Sequence, residues 1–552
     1  MTNVNLSYRD LAGLIGKPVP QEEILEKVPL IGSDIGDNVP GTDAMTIEFF
    51  PNRPDMYSVE GIGRSLRQFL GIEPGLKRYD VKPSGIKASV TDGVRKIRPY
   101  FMCAAVYGVD VDDTVLRSMM ELQEKLHITI GRKRAKLAIG IHDLDKVKPP
   151  FTFIDVDPDR HAFVPLAKTE AMTPREILSK HEKGVAYAHL MDGFERFPLI
   201  VDSEDNVLSF PPIINGALTT VTTSTRNLFI DVTGFDAPSV ETALNIVCTA
   251  LAERGGEIRS VEMEGAPKKI YPDLEPQKMR VSLAECRRII GFDISAGDAC
   301  KALGLMGMDA KADGDVLEVL IPAYRNDILH PIDVCEDIAI GYGYGNYGKR
   351  RIPAVQTSGR LLPETELSSS LQDVMIGLGY TEVTTLTLSN HRDEFEISGL
   401  PEVEDVRVSN PITEDHTCLR SYLMPSLMRI LRHNKHRDLP QRIFEVGYVV
   451  RDCRNVLHLC ALQAASRSSF TEVKSLAESI MREMHTEYTI EACDYSTFVP
   501  GRGGFIVVGG KRCGVFGEMS PKTITDYEMT HPVTMIEIDL DGFAERLTGG
   551  LL

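Results

Sequence analysis

Residues 441–450 read QRIFEVGYVV, a run rich in β-branched and aromatic residues of the kind typical of β-strands. Three more such stretches follow along the chain, and they are VLHLCALQA (456–464), GGFIVVGGKRCGVFGEM (503–519) and VTMIEIDL (533–540). Together with the helical stretches between them, these runs predict a large antiparallel sheet flanked by helices over residues 353–552.

The helices expected around this sheet are ETELSSSLQDVMIGLGY (364–380) and MPSLMRILRHNKH (424–436), and TEVTTLTL (381–388) is expected as a strand. The piece GRGGFIVVGG (501–510) is rich in glycine, but strand residues follow it rather than a helix. We therefore interpret it as the tight start of a strand and not as a dinucleotide site.

The part of the chain before this sheet divides into three further regions, so the sequence predicts an α+β protein of several domains. Residues 1–90 alternate short apolar and polar pieces and form an N-terminal α/β module. Residues 91–270 read mostly as strands and are closed by the helix VETALNIVCTALAER (240–254). Residues 271–352 form a small, helix-rich acidic module.

Composition limits the class of protein. The 552 residues carry a net charge of −18, which argues against a surface coated with basic residues for non-specific nucleic-acid binding. The 10 cysteines are scattered without a C-x-x-C pair, so a disulfide scaffold and a zinc ribbon are both disfavoured. No apolar run reaches the roughly 18 residues of a membrane helix, and we expect a cytoplasmic protein without a membrane partner.

The sharpest candidate site is acidic and lies in IPAYRNDILHPIDVCEDIAIGYGYGN (321–346). Helical spacing places Asp333, Glu336 and Asp337 on one face, with Asp327 one short turn upstream. Oxygen ligands of this kind favour Mg²⁺. The alternative is a solvated acidic helix start, since acidic residues near a helix N-terminus are favoured by the helix dipole.

A second candidate site is basic and lies in GRKRAKLAIGIHDLDKVKPP (131–150). Arg132 and Arg134 are suited to meeting phosphate, and His142, followed by Asp143, is suited to acid–base chemistry. The alternative is a charged loop and a strand-end histidine whose hydrogen bonds are satisfied.

A third candidate lies in PPIINGALTTVTTSTRNLFIDVTG (211–234), where Asn215 and Thr219 begin a dense set of small polar side chains. Such a set can bind a small polar ligand, although threonine also favours strands for its own sake. We find no phosphate-binding P-loop, no G-x-S-x-G nucleophile turn and no H-E-x-x-H zinc motif.

Seven segments in series resemble the β subunits of phenylalanine–tRNA ligase in their short archaeal and eukaryotic form. They cover nearly the whole chain and are NRPDMYSVEGIGRSLRQFLG (52–71), AIGIHDLDKVKPPFTF (138–153), PPIINGALTTVTTSTRNLFIDVTG (211–234), PAYRNDILHPIDVCEDIAIGYGYGN (322–346), NPITEDHTCLRSYLMPSLMRILRHN (410–434), RIFEVG (442–447) and GVFGEMSP (514–521).

The resemblance implies an α2β2 tetramer with a phenylalanine–tRNA ligase α subunit, acting on tRNA(Phe). It implies that ATP is used by the complex and not bound by this chain, because residues 353–552 resemble a catalytically silent class II synthetase domain. After RIFEVG we find no glycine-rich strand ending in the arginine that such an ATP site requires.

The resemblance also implies residue roles. Residues 91–270 would form an editing-type domain that hydrolyses mischarged Tyr-tRNA. His142 and Asp143 are expected near the pocket entrance, Asn215 and Thr219 in the pocket lining, and Arg132 and Arg134 against the tRNA end. The magnesium positions of the family match Asp327, Asp333, Glu336 and Asp337. The competing functions are a free-standing aminoacyl-tRNA deacylase and a non-enzymatic tRNA-binding scaffold.

Overall fold

The computed structural model describes residues 2–36, 38, 41–347, 358–541 and 543. The chain divides into two compact units, Met1–Ile352 and Pro353–Leu552. In the described residues, no helix is both long and apolar enough to cross a membrane. The finer division into four domains stays a prediction.

A small antiparallel sheet and three helices begin the first unit. These elements are β1 (Thr2–Ser7), α1 (Tyr8–Ile15), α2 (Gln21–Lys27), β2 (Ser33–Ile35), β3 (Ala44–Phe49) and α3 (Val59–Phe69), with the strands in the order β1-β3-β2. Helix α3 begins where the Ser58 side chain accepts a hydrogen bond from the Gly61 N–H (3.3 Å). A Cβ on Gly61 would lie 1.8 Å from the Asp55 carbonyl oxygen, so only glycine allows the chain to approach this closely.

A ten-stranded sheet forms the centre of the first unit, with helices packed on it. The strands are β4 (Lys82–Val90), β5 (Tyr100–Tyr107), β6 (Leu137–Asp143), β7 (Phe151–Val156), β8 (Phe197–Val201), β9 (Val207–Phe210), β10 (Ile214–Asn215), β11 (Leu228–Gly234), β12 (Glu257–Glu264) and β13 (Ile270–Tyr271). Their order is β10-β9-β8-β7-β4-β12-β5-β11-β6, and β13 pairs with β12. The helices are α4 (Asp92–Arg95), α5 (Asp113–Ile128), α6 (Pro174–Lys180), α7 (Glu182–Tyr187) and α8 (Ala237–Glu253).

Helix α5 was not among the predicted elements. Its buried residues Val115, Met119, Leu122 and Leu126 recur at helical spacing, and the Asp112 side chain accepts a hydrogen bond from the Val115 N–H (2.8 Å). Helices α5 and α8 pack against each other, α5 also packs on β6, and α8 packs on β5, β6 and β11. The region is therefore less purely β than the sequence predicts.

A three-stranded antiparallel sheet with three helices ends the first unit. The elements are β14 (Gln277–Ser282), α9 (Leu283–Ile290), α10 (Ala296–Leu305), β15 (Asp309–Asp313), β16 (Val316–Ile321) and α11 (Pro331–Tyr342), with the strands in the order β14-β16-β15. The acidic candidate residues lie on α11 and in the loop before it.

The second unit is built on a seven-stranded sheet. Its helices are α12 (Pro363–Gly377), α13 (Met424–His433), α14 (Phe470–Glu483) and α15 (Pro521–Asp526). Its strands are β17 (Thr381–Glu382), β18 (Leu388–Ser389), β19 (Cys418–Leu419), β20 (Gln441–Arg451), β21 (Arg454–Ala464), β22 (Thr489–Ala492), β23 (Phe498–Val508), β24 (Lys511–Met519) and β25 (Val533–Asp539).

The main sheet has the order β17-β20-β21-β25-β24-β23-β22, and β18 pairs with β19 separately. All its neighbours are antiparallel except β17 and β20. The prediction of a large antiparallel sheet with helices is therefore correct in outline. The prediction of one strand over 381–388 is wrong, because only its two ends pair, each with a different partner.

Candidate functional site

A cavity of about 440 Å³ lies in the first unit between α5, the edge of β6 and the loop that joins β9 to β10. A volume of this size lies within the range of small-molecule sites. The polar and charged side chains of its lining are Gln123, Glu124, His127, Arg134, Lys168, His181, Glu182, Lys183, Ser209, Asn215 and Asp231.

Asp231 is the buried carboxylate of this cavity. It lies in the middle of β11, where it is 2% exposed, and it pairs with Gly140 on β6 and with Cys103 on β5. A Cβ on Gly140 would lie 2.5 Å from Asp231 Oδ2 and 2.6 Å from Oδ1. Glycine at position 140 therefore leaves the room that the carboxylate occupies.

His142 lies behind Asp231 and not at the entrance of the cavity, which corrects the position expected from the sequence. Its side chain is fully buried, with Nε2 3.3 Å from Asp231 Oδ1 and Nδ1 2.7 Å from Thr219 Oγ1. Thr219 likewise lies behind the wall rather than in the lining. The cause is the strand register: Gly140 and His142 are two positions apart on β6, with Ile141 between them, so both face the same side of the sheet next to Asp231.

Asp143 and Asn215 lie in different surroundings, although the sequence places both at the site. The Asp143 carboxylate accepts hydrogen bonds from the Thr225 hydroxyl (2.8 Å) and the Asp145 N–H (3.1 Å), so it holds two loops together and does not line the cavity. Asn215 does line the cavity, and its Nδ2 donates to the Ile141 carbonyl oxygen (3.4 Å).

The two arginines predicted to meet RNA have different surroundings. Arg132 is exposed, whereas Arg134 is buried in the cavity wall. The Arg134 guanidinium donates to the Ile213 carbonyl oxygen (2.9 Å) and to Glu124 Oε2 (3.1 Å), and it lies 4.7 Å from the centre of the Tyr187 ring. Arg134 therefore shapes the cavity and is not available to a phosphate.

A charged pair on α5 completes this wall. His127 Nε2 accepts a hydrogen bond from the Ile139 N–H (2.8 Å), so the ring proton is on Nδ1, 3.6 Å from Glu124 Oε2. The neighbouring His127 ring, and after it the positive charge of Arg134, stabilise the Glu124 carboxylate and lower its pKa to about 2. Burial lowers the pKa of His127. Glu124 is accordingly an anion next to a neutral imidazole.

The sequence reasoning missed Asp231, Glu124 and His127. Asp231 is the one charged residue within the apolar strand LFIDVTG, which could have identified it. Glu124 and His127 could be found only by recognising α5, since they lie one helical turn apart on the side facing the cavity.

The acidic residues of the predicted magnesium site have partners of their own. Arg325 donates to both oxygens of Asp327 (2.7 and 2.6 Å) and to Asp337 Oδ2 (2.9 Å). The Arg325 side chain is only 2% exposed, so this contact replaces water for both carboxylates.

Asp333 and Glu336 have different surroundings. Asp333 Oδ2 accepts hydrogen bonds from the Leu329 and His330 N–H groups (2.8 and 2.7 Å) and caps the start of α11. Glu336 is exposed. Among the described residues, no group of three or more His, Cys, Asp or Glu side chains is placed to hold a metal ion.

In this arrangement the four carboxylates do not fit a magnesium ion, because the Arg325 guanidinium already lies between two of them. Magnesium at Asp327, Asp333, Glu336 and Asp337 stays a prediction from the sequence.

Three regions of the chain match known protein families. Residues 114–255 match the family described as the B3/4 domain, residues 279–344 match the tRNA synthetase B5 domain, and residues 349–540 match the phenylalanyl tRNA synthetase beta chain CLM domain. This set of domains defines a subunit of an aminoacyl-tRNA synthetase, which is a ligase.

Full-length relatives identify the family. The chain is similar to the phenylalanine–tRNA ligase beta subunits of Methanothrix thermoacetophila, with 47% identity over 98% of this chain and 100% of the relative, and of Archaeoglobus fulgidus, with 44% identity over 100% of both. The chain belongs to the family of phenylalanine–tRNA ligase beta subunits, and the resemblance found in the sequence is confirmed.

A solved structure is also similar to the first part of the chain. It is an N-terminal fragment of the phenylalanyl-tRNA synthetase beta subunit from Pyrococcus horikoshii, with 40% identity and a TM-score of 0.59 over 62% of this chain and 100% of the fragment. The α+β fold with B3/4, B5 and CLM regions is therefore established.

Proposed function

We propose that the cavity at Asp231 hydrolyses tyrosine from mischarged tRNA(Phe). The observation that carries this proposal is a cavity of about 440 Å³ with a buried carboxylate in the region that matches the B3/4 domain. Tyrosine and phenylalanine differ by one hydroxyl group, which a pocket built for phenylalanine rejects weakly, so a second hydrolytic site adds fidelity.

Ser209, His127 and Arg134 line the cavity, and Ser209 Oγ, His127 Nδ1 and Arg134 Nε have no hydrogen-bond partner among the described residues. All three atoms are buried in the wall, so rotation of the Ser209 side chain is the movement that would present its hydroxyl to a bound tyrosine. A tyrosine hydroxyl would pair with it, whereas phenylalanine has no group that can. This difference favours tyrosine over phenylalanine in the cavity.

The reaction is the addition of water to an ester. Asp231 is placed to accept a proton from a water molecule as its oxygen bonds to the carbonyl carbon of the tyrosyl ester. The bond from that carbon to the ribose oxygen then breaks, and the ribose oxygen takes the proton. Lys168 and Lys183 also line the cavity and are suited to meeting the negative charge of the RNA end.

Release of tyrosine from Tyr-tRNA(Phe) by the complex with its α subunit tests the proposal. We expect Asp231→Asn to abolish release while phenylalanine attachment continues. Asn215→Ala is a second variant, and activity equal to the parent would remove Asn215 from the site. Asp145→Asn, outside the cavity lining, is the matched control.

We also propose that the second unit forms no aminoacyl adenylate, which leaves ATP to the α subunit of an α2β2 complex. Apolar side chains pack in two clusters against its main sheet: α13 contributes Leu427 and Leu431 to one cluster, and α12 and α14 contribute Leu371 and Ile480 to the other. An adenylate needs an open sheet face and a cation for its phosphates.

Two buried carboxylates strengthen this reading of the second unit. Glu394 accepts hydrogen bonds from the Ser421 and Tyr422 N–H groups, and Glu537 accepts from Leu423 and Met424 N–H at the start of α13. Backbone donors that could have met phosphate are thus used within the protein. ATP–pyrophosphate exchange driven by phenylalanine should be absent in this chain alone and present with the α subunit.

The alternatives are a free-standing deacylase and a tRNA-binding scaffold. Expression with and without an α subunit, followed by mass measurement, separates them from the proposal. A monomer that ignores the partner but releases tyrosine would favour the deacylase, and one that binds tRNA without release would favour the scaffold. We place the complex in the cytoplasm, where charged tRNA is used.

A further inference from the structure

Three buried side chains form a hydrogen-bonded row behind the cavity. Thr219 Oγ1 lies 2.7 Å from His142 Nδ1, and His142 Nε2 lies 3.3 Å from Asp231 Oδ1. Their exposed fractions are 1%, 0% and 2%. Only Asp231 lines the cavity, so the other two act on a bound molecule through it.

The direction of this row follows from counting hydrogens. Thr219 has one hydroxyl hydrogen, and its oxygen lies within donating distance of the Gly216 and Leu208 carbonyl oxygens (3.3 and 3.5 Å). The Asp231 carboxylate accepts, so His142 Nε2 carries the ring hydrogen and donates it to Oδ1, and His142 Nδ1 then accepts from the Thr219 hydroxyl at 2.7 Å, the shortest contact of that hydroxyl.

Other groups around Asp231 do not replace His142. Arg98 is buried nearby, but its guanidinium donates to the Thr233 hydroxyl (2.8 Å) and to the Thr233 carbonyl oxygen (2.9 Å). Burial lowers the pKa of Arg98 to about 9 and raises the pKa of Cys103, the β5 neighbour of Asp231. The titratable groups facing the row are Arg98 before β5, Cys103 on β5, and Glu124, His127 and Arg134 across the cavity.

We propose that His142 is a positioning residue that holds the Asp231 carboxylate towards the cavity during hydrolysis. This inference rests on the proposed editing function and adds to it the residue that acts through Asp231. During ester cleavage Asp231 accepts the proton of the attacking water and passes it to the ribose oxygen, while the imidazole keeps its hydrogen bond to the carboxyl group. Water and the ester become tyrosine and the free RNA end, with no other reactant.

Replacing His142 by asparagine or by glutamine distinguishes the contribution of ring nitrogen Nδ1 from that of Nε2. The side-chain nitrogen of glutamine reaches about as far as Nε2 and can still donate to Asp231, whereas asparagine reaches about as far as Nδ1 and retains only the Thr219 side. In the complex with the α subunit, we expect His142→Asn to lower kcat for tyrosine release by roughly a hundredfold with KM unchanged, and His142→Gln to retain most of it.

A fall in kcat at unchanged KM in His142→Asn, with recovery in His142→Gln, is a result that a purely structural role would not produce. Melting temperature and phenylalanine attachment report whether the variants fold.

A second pair of variants tests the same role without changing His142, so the proposal can be judged even when the histidine variants do not fold. Thr219→Val removes the hydroxyl group that donates to His142 Nδ1, and we expect a lower kcat. Thr220→Val is the matched control, since Thr220 is exposed and its hydroxyl donates to the Ala217 carbonyl oxygen (2.7 Å) within its own turn.

The outcomes separate the two proposals. If the unaltered complex releases no tyrosine, both the editing function and the role of His142 are overturned. If it releases tyrosine, but His142→Asn and Thr219→Val retain its kcat, the role of His142 alone is overturned. A loss of kcat in both variants, with retention in His142→Gln and Thr220→Val, supports it.

Discussion

Gly140 and Asp231 lie opposite each other on the neighbouring strands β6 and β11, and a methyl group on Gly140 would fall 2.5 Å from one oxygen of the Asp231 carboxylate. The space above this glycine is therefore occupied by the carboxyl group that lines the cavity. The site depends on the absence of a side chain at position 140 as much as on the presence of one at position 231.

Gly140→Ala should displace Asp231 and destabilise the protein by about 1–3 kcal/mol, because an added methyl group overpacks the space. We expect tyrosine release to fall sharply while phenylalanine attachment remains. Urea unfolding and the two activity assays measure these effects. Gly13→Ala, in helix α1 with no atom within 4 Å of the new methyl group, is the control and should be neutral or slightly stabilising.

Ser209→Ala should reduce the preference of hydrolysis for tyrosine over phenylalanine by about tenfold, because Ser209 lines the cavity and its hydroxyl group has no hydrogen-bond partner among the described residues. The ratio of kcat/KM for Tyr-tRNA(Phe) and Phe-tRNA(Phe) measures the change. Ser224→Ala, at an exposed serine, should leave the ratio unaltered. An unchanged ratio in Ser209→Ala would show that another atom recognises the hydroxyl group.

Arg325→Gln should destabilise the first unit by about 3–5 kcal/mol, because Asp327 and Asp337 would lose their buried counter-charge. The same loss makes room for a cation, so Mg²⁺ should raise the unfolding midpoint of this variant more than that of the parent. Thermal unfolding with and without Mg²⁺ measures both. Equal stabilisation of the parent would favour the magnesium site predicted from the sequence.

The stability of the second unit should fall as pH rises from about 4.5 to 7. Burial raises the pKa of Glu394 to about 7 from its usual 4.5, so across this window the native state holds a proton that the unfolded state releases. The change amounts to about 3 kcal/mol. Urea unfolding between pH 5 and 8 measures it.

Glu394→Gln should reduce this slope, since the amide does not titrate and its oxygen can still accept from the Ser421 and Tyr422 N–H groups. Glu396→Gln, at an exposed position two residues away, should keep the slope of the parent. A slope that survives in Glu394→Gln would assign the effect to another group.

Sequence reasoning located the region of the cavity, but only some of the residues that it predicted for the site line the cavity. Asn215 lines the cavity, whereas His142 and Thr219 lie one layer behind it and Asp143 joins two loops. The order of residues along a strand predicts which side they face, but it does not tell which strand lies alongside. For that reason Asp231, which lies 89 positions from His142 along the chain, could not be connected to it.

The arginines illustrate the same limit. Three consecutive residues, Arg132, Lys133 and Arg134, read as one basic loop, and all three adopt positive φ angles after α5. That backbone path turns Arg134 inward against Glu124 and leaves Arg132 in solvent. The composition of the loop predicts charge, and only its course through space decides which charge is buried.

The amino-acid sequence alone determined the family, the α+β class and the large C-terminal sheet, because hydrophobic periodicity and short motifs are local properties of the chain. The tertiary structure alone decided that Arg325 neutralises Asp327 and Asp337, and that Gly140 leaves room for Asp231. Contacts between distant segments depend on how strands and helices pack, and the free energy of a buried charge depends on which atoms surround it.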